Sequence, residues 1–226
     1  MSPRRSPREV RWPRITGAVL AGGRSRRMGR DKGSLRWEGA TLLERSVAFL
    51  QERFGEVLVC TRGARPVPRG ARLVLDGDGP ACPLSGIASA LEEAAHPWVF
   101  VVGCDMPFPS EGLIAALCAL RGGADAVVPM GAEGPEPLHA FYARRSAHEM
   151  RQRLQRGSAG IQAFLQGVRV RRLARSEVVR LDPDGWAMFN ANTPGALARA
   201  RRRARALARG RTGAGAVPSS PSGAKR

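Results

Sequence analysis

A short apolar run that opens into glycine constrains this fold more than any other stretch. Ile15–Ala21 reads as a buried strand, and it runs straight into Gly22-Gly23-Arg24-Ser25-Arg26-Arg27-Met28-Gly29-Arg30-Asp31-Lys32. A buried strand ending in a Gly-rich, cation-dense loop predicts a sheet covered on both faces, with the loop at its carboxyl edge. Such loops hold phosphates, because main-chain N–H groups can close on the oxygens where no Cβ intervenes. Of 37 basic side chains, only Lys32 and Lys225 are lysine. An otherwise Arg-based chain that keeps one Lys inside its body points to a need for the compact ammonium rather than the planar guanidinium fork.

The rest of the chain alternates in the same style. Thr41-x-x-Glu44 is a capping box ahead of Leu42, Leu43, Val47, Leu50 and Phe54, with Gly55 as the stop. Val57–Cys60 and Leu73–Leu75 read as strands, Leu84–Ala95 as a helix, and Trp98–Val102 as a central strand. Ser110–Leu120 predicts a helix, and Ala124–Met130 and Leu138–Ala143 predict strands. Ser146-x-x-Glu149 caps a helix through Leu154, and a shorter helix covers Ile161–Leu165. Val168–Leu173 and Val178–Leu181 follow as strands. Asn192-Thr193-Pro194 offers an N-cap and a first-turn Pro for Gly195–Arg209. This order predicts an α/β fold with a mostly parallel sheet and helices on both sides. The expected organisation is a disordered basic arm over 1–14, one domain over 15–209, and a disordered Gly/Ser/Pro-rich tail over 210–226.

The net charge of +18 suggests nucleic acid until it is located. Residues 1–14 contribute +4 and residues 199–226 contribute +9, which leaves only +5 on the body. Within that body the densest cluster is Arg24, Arg26, Arg27, Arg30 and Lys32, at the Gly-rich loop. A small anionic ligand fits that distribution better than a polynucleotide. The four cysteines show no C-x-x-C spacing, which points to a reducing, cytoplasmic compartment without zinc. No apolar run approaches the length of a membrane helix, and Ile15–Ala21 is too short for a signal peptide. The three histidines, His96, His139 and His148, read as structural or solvated.

A second loop leaves a strand end at Cys104-Asp105-Met106-Pro107. Asp105 is a candidate Mg²⁺ ligand, since that hard cation takes one or two carboxylates together with phosphate oxygens. The alternative is an Asx-turn residue shaping the loop. The Gly-rich loop is neither G-x-x-x-x-G-K-[ST] nor G-x-G-x-x-G. Leu-Ala-Gly-Gly-x-Ser-x-Arg-Met-Gly-x-Asp-Lys instead closely resembles the nucleotide loop of the molybdenum cofactor guanylyltransferases. Four further matches follow in order: Pro83-Leu84-Ser85-Gly86-Ile87, Cys104-Asp105-Met106-Pro107, Pro137-Leu138-His139-Ala140-Phe141-Tyr142, and Phe189-Asn190-Ala191-Asn192-Thr193-Pro194.

The resemblance runs from about Ile15 to Leu197 and implies a Rossmann-like three-layer αβα sandwich. It implies GMP transfer from GTP to the phosphate of molybdopterin. By position, Leu20, Ala21, Gly22 and Gly23 would form the nucleotide turn, and Asp76 would contact the nucleotide. Lys32 would contact the phosphates of GTP and Asp105 would hold Mg²⁺, while by their charge Arg24, Arg26 and Arg27 could neutralise the triphosphate. Asn190 and Asn192 would lie on the acceptor or metal side. Molybdoenzymes or molybdenum cofactor insertion proteins are the implied protein partners. The chain departs from the pattern at Cys82, where Gly is usual, and at Cys60 or Thr61, where a nucleotide-contacting Asn is usual. It departs again at Ser158-Ala159, where a basic pair is usual. Molybdopterin cytidylyltransferases, sugar-1-phosphate nucleotidyltransferases and phospholactate guanylyltransferases would share the loop. A nucleic-acid-associated protein using the basic ends, and an inactive nucleotide sensor, are readings of other classes.

Overall fold

The computed structural model describes residues 11–22, 36–37, 39–77, 80–158 and 160–213. A seven-stranded sheet forms its middle layer. The strands are β1 (Trp12–Leu20), β4 (Phe54–Thr61), β5 (Arg72–Leu75), β6 (Trp98–Gly103), β7 (Ala126–Pro129), β8 (His139–Ala143) and β9 (Val170–Leu173), in the order β5-β4-β1-β6-β8-β7-β9. Only β8 runs antiparallel to its neighbours β6 and β7. A small hairpin, β2 (Arg36–Trp37) with β3 (Ala40–Thr41), stands apart. The helices are α1 (Leu42–Gln51), α2 (Pro83–Glu93), α3 (Glu111–Ala119), α4 (Ala147–Gln155), α5 (Ile161–Gln166), α6 (Arg175–Leu181) and α7 (Pro194–Gly213).

Period-two alternation in the strands sorts the core into two layers. Val19, Val59, Phe100, Val102, Val127 and Phe141 meet Leu43, Val47 and Leu50 of α1, Leu113 and Leu117 of α3, and Val178 of α6. On the other face Ala18, Leu58, Val99, Val101, Ala126, Ala140 and Tyr142 meet Leu84, Ile87 and Leu91 of α2, Met150 of α4 and Phe164 of α5. The αβα sandwich follows. Phe100 sits at its centre, fully buried and stacked on Phe54 at 5.5 Å. Each such side chain contributes about 1.5–3 kcal/mol by leaving water. A third, smaller cluster, Leu42 with Ala191, Leu197 and Ala200, fastens α7 to the start of α1. Among the described residues no helix is long and apolar enough to cross a membrane.

The capping box of α1 forms in both halves: the Glu44 N–H donates to Thr41 Oγ1 at 3.1 Å, and the Thr41 N–H donates to Glu44 Oε2 at 2.6 Å. Ser110 caps α3 by accepting from the Leu113 N–H. Other expectations are corrected. Residues 12–14 are strand rather than arm, because the Trp12 N–H donates to Arg53 O at 2.8 Å and its ring packs on Phe54. Gly55 is not the helix stop. It lies inside β4, where a Cβ would come within 1.9 Å of Pro13 O. Val178–Leu181 is helical, since Val178 and Leu181, three apart, turn to the core while Val179 is left half exposed. Ser146 makes no capping box; it ends a short 3₁₀ turn, Arg144–Ser146, and its hydroxyl donates to Asp125 O. Within Asn192-Thr193-Pro194 it is Thr193 that caps α7, accepting from the Ala196 N–H at 3.1 Å, but the helix runs past 209 to Gly213.

Candidate active site

Strand order reverses between β1 and β6: β1 leads outward to β4 and β5, and β6 leads outward to β8 and β7. In open sheets of this kind ligands bind outside the carboxyl ends at that switch point. A cleft of about 430 Å³ lies there. The end of β1 supplies Leu20, Ala21 and Gly22. Arg62 follows β4, Asp76 follows β5, and Gly103, Cys104 and Asp105 end β6. The entry to α2 adds Ala81, Cys82 and Pro83, and Leu138, Asn190 and Asn192 complete the lining.

Main-chain hydrogen bonds fix these loops to one another. The Cys104 N–H donates to Leu20 O, the Asp76 N–H to Thr61 O, and the Gly103 N–H to Leu138 O, at 2.7–3.1 Å. The Ala191 N–H donates to Asp105 O at 2.7 Å, which brings Asn190 and Asn192 to the cleft. Phe108, Trp186 and Phe189 pack ring against ring beneath that segment.

Asp105 keeps 8% of its surface exposed, at the cleft. A Cβ on Gly103 would lie 2.8 Å from Asp105 Oδ1, so the glycine makes room for the carboxylate. Glu136 is close enough to feel the charge of Asp105. Burial first, and that charge as well, push its carboxyl up, while the Leu138 N–H bond holds it down. Asp76 is pushed up by burial and drawn back by Arg62 and Arg151. Its Oδ1 is buried without a partner among the described residues. The positive counterweight is Arg62 and the N-terminus of α2, which has Pro83 at its first turn and no acid there.

Five of the sequence-derived candidates, Leu20, Ala21, Gly22, Asp76 and Asp105, thus line one cleft, with Asn190 and Asn192 beside them. Gly23, Arg27 and Lys32 lie outside the described residues. Arg62 was not anticipated; the signal available was a cation just past the end of the second parallel strand. Neither Cys60 nor Thr61 replaces the missing Asn in the lining. The Cys60 thiol is buried in the core and pushed far up by that burial, and the Thr61 hydroxyl donates to Gly63 O. Cys82 does line the cleft. Arg153 is committed to structure: it pairs with Glu149 and donates to Ala163 O, tying α4 to α5. His139 is wholly buried with no hydrogen-bond partner for either ring nitrogen among the described residues, and its ring stands perpendicular to that of Phe100.

Residues 17–176 match the model of the MobA-like NTP transferase domain. The chain belongs to the MobA-like NTP transferase family. A probable molybdenum cofactor guanylyltransferase of Opitutus terrae is 38% identical over 195 residues, covering 84% of this chain and 96% of that protein. The molybdenum cofactor guanylyltransferase of Desulfosudis oleivorans is 31% identical over 189 residues, covering 82% and 94%. Among solved structures, molybdopterin-guanine dinucleotide biosynthesis protein A from Archaeoglobus fulgidus superposes with a TM-score of 0.74 at 27% identity, covering 84% of this chain and 99% of that one. The αβα sandwich and nucleotidyl transfer are therefore those of this family.

Proposed function

We propose that this MobA-like protein transfers GMP from GTP to the phosphate of molybdopterin, releasing pyrophosphate, in molybdenum cofactor biosynthesis. One observation carries the reading: the sheet brings the Leu20–Gly22 turn, the Asp76 carboxylate and the Asp105 loop into a single cleft. Relatives named for guanylyl transfer to the molybdenum cofactor align along nearly their whole length.

The chemistry follows from the lining. Guanine presents two adjacent donors, N1–H and the 2-amino group, on one edge. The Asp76 carboxylate is suited to accept from that edge: its Oδ1 has no partner among the described residues, and Gly22, whose Cβ would stand 3.1 Å from Oδ2, leaves the main chain close beside the other oxygen. The triphosphate then lies toward the end of β6 and the N-terminus of α2, where the helix dipole favours anions. Arg62, with Lys32 and Arg27 of the Gly-rich loop, offsets its charge. An oxygen of the acceptor phosphate attacks the α-phosphorus of GTP, and the bond to pyrophosphate breaks. That oxygen is already ionised near neutral pH, so no strong base is needed, in keeping with a cleft that no histidine lines. Catalysis is then positioning and charge stabilisation.

The residues present fit a Mg²⁺ ion. Asp105, Asn190 and Asn192 offer hard oxygen donors in one place. Among the described residues no group of three or more His, Cys, Asp or Glu could hold a metal by itself, so an ion here would need phosphate oxygens to complete its shell. Bound there, the ion would neutralise charge developing on the phosphates.

Transfer from labelled GTP and from CTP to molybdopterin, by wild type and Asp105→Ala, tests the proposal. GTP is expected to be the donor, and the variant to lose on the order of 10²–10³-fold in rate. Equal use of CTP would contradict the guanylyl assignment, and an unchanged variant would contradict the role of Asp105.

A further inference from the structure

Outside the cleft, one polar cluster reaches toward it. Arg151 leaves α4 and crosses the face of α2. Its Nε donates to Glu92 Oε1 at 2.7 Å and its Nη2 to Glu92 Oε2 at 2.6 Å, a two-pronged pair. Nη2 also donates to Ser89 Oγ at 2.8 Å. The same Ser89 oxygen accepts from the Gly77 N–H at 3.4 Å. Nη1 lies 3.2 Å from the point where a Cβ of Gly77 would stand, so the guanidinium rests on the bare main chain of residue 77. Arg151 is mostly covered and does not line the cleft. Its reach ends on the turn whose preceding residue is Asp76.

We propose that Arg151 is a positioning residue: held by Glu92 and Ser89, it braces the Asp76–Gly77 turn so that the Asp76 carboxylate meets the base of the nucleotide. The inference rests on the reading of Asp76 given above. Glycine at 77 is part of the device, since a Cβ there would stand 3.2 Å from Nη1 and the guanidinium would have to shift to make room. The charges acting on Asp76 come from two places: Arg62 just beyond β4 and Arg151 on α4. Arg151 is set against the α2 face of the turn by its anchors, whereas Arg62 lines the cleft itself. Loss of Arg151 therefore alters how the base is held before it alters the phosphates.

The test uses full-length protein and titrates GTP, ITP and CTP into wild type, Arg151→Gln, Arg151→Lys and Gly77→Ala. ITP lacks the 2-amino group, so the GTP-to-ITP ratio reads the Asp76 contact. Arg151→Gln should weaken GTP about tenfold or more while weakening ITP less, as expected when a charge-assisted contact loses its geometry. Arg151→Lys should recover part of the loss, because it keeps the charge but not the fork. Gly77→Ala should give the same pattern with Arg151 intact. The acid limb of GTP affinity should move to higher pH in Arg151→Gln, since a cation beside Asp76 is gone. A merely structural role would lower the melting temperature and leave both the ratio and the limb unmoved. If Arg151→Gln and Gly77→Ala both keep the wild-type ratio, the inference is wrong while the guanylyl reading stands. If wild type itself binds CTP as tightly as GTP, the guanylyl reading falls and takes the inference with it.

Discussion

Asp105 and His139 lie near the same end of β6 and have opposite fates. Asp105 is held at the cleft by the absence of a side chain on Gly103 and by the bond its own carbonyl accepts from Ala191. His139, paired opposite Val102 in the sheet, is sealed into the α1 and α3 face against Phe100, and burial pushes its pKa down to about 3. It stays neutral in the folded chain, whereas the unfolded chain takes up a proton below its ordinary value of 6.5. The sign follows: this contribution is intact above that value and is lost as pH falls toward the folded one, at up to about 1.4 kcal/mol per pH unit. Asp76 and Glu136, raised by burial, act with the opposite sign, so the His139 contribution is isolated by substitution. Urea unfolding of wild type should show stability falling from pH 7 to 5.5, and His139→Leu should flatten that slope. A slope that survives the substitution would contradict the assignment.

Among the elements, α1 shows how local chemistry and tertiary packing share the work. Thr41 and Glu44 close both halves of the capping box, and Leu42, Leu43, Val47 and Leu50 are buried behind it. Thr41→Ala should cost about 1 kcal/mol, read as a lower urea midpoint with unchanged m-value; no change would mean that packing alone holds the helix start. The same signals were legible in the sequence, as were the buried strands β1 and β6, because capping residues and continuous apolar runs act locally. α6 was not legible as a helix. A segment as short as Val178–Leu181 satisfies both periodicities until α3 and the sheet decide which face is covered. Ser146 misled for a related reason: Asp125 O competes for its hydroxyl, and only the fold brings β7 alongside. Asp76 and Asp105 could be placed at strand ends from sequence. Arg62 and the Arg151 brace could not, since both depend on how β4, α2 and α4 meet in space.

At the scale of the whole molecule, charge and topology point to one place. Most of the net charge lies toward the two ends of the chain, while Asp76, Asp105 and the N-terminus of α2 meet at the switch point between β1 and β6. The central claim is that GTP lies in that cleft with its base at Asp76 and its phosphates at Asp105. A crystal grown with a non-hydrolysable GTP analogue and Mn²⁺ tests it most directly, because the anomalous signal of the metal locates the phosphates. The account predicts a metal peak about 2–2.3 Å from a carboxylate oxygen of Asp105, with the guanine edge within hydrogen-bonding distance of Asp76. A peak remote from Asp105, or a base bound away from the Leu20–Gly22 turn, would contradict it.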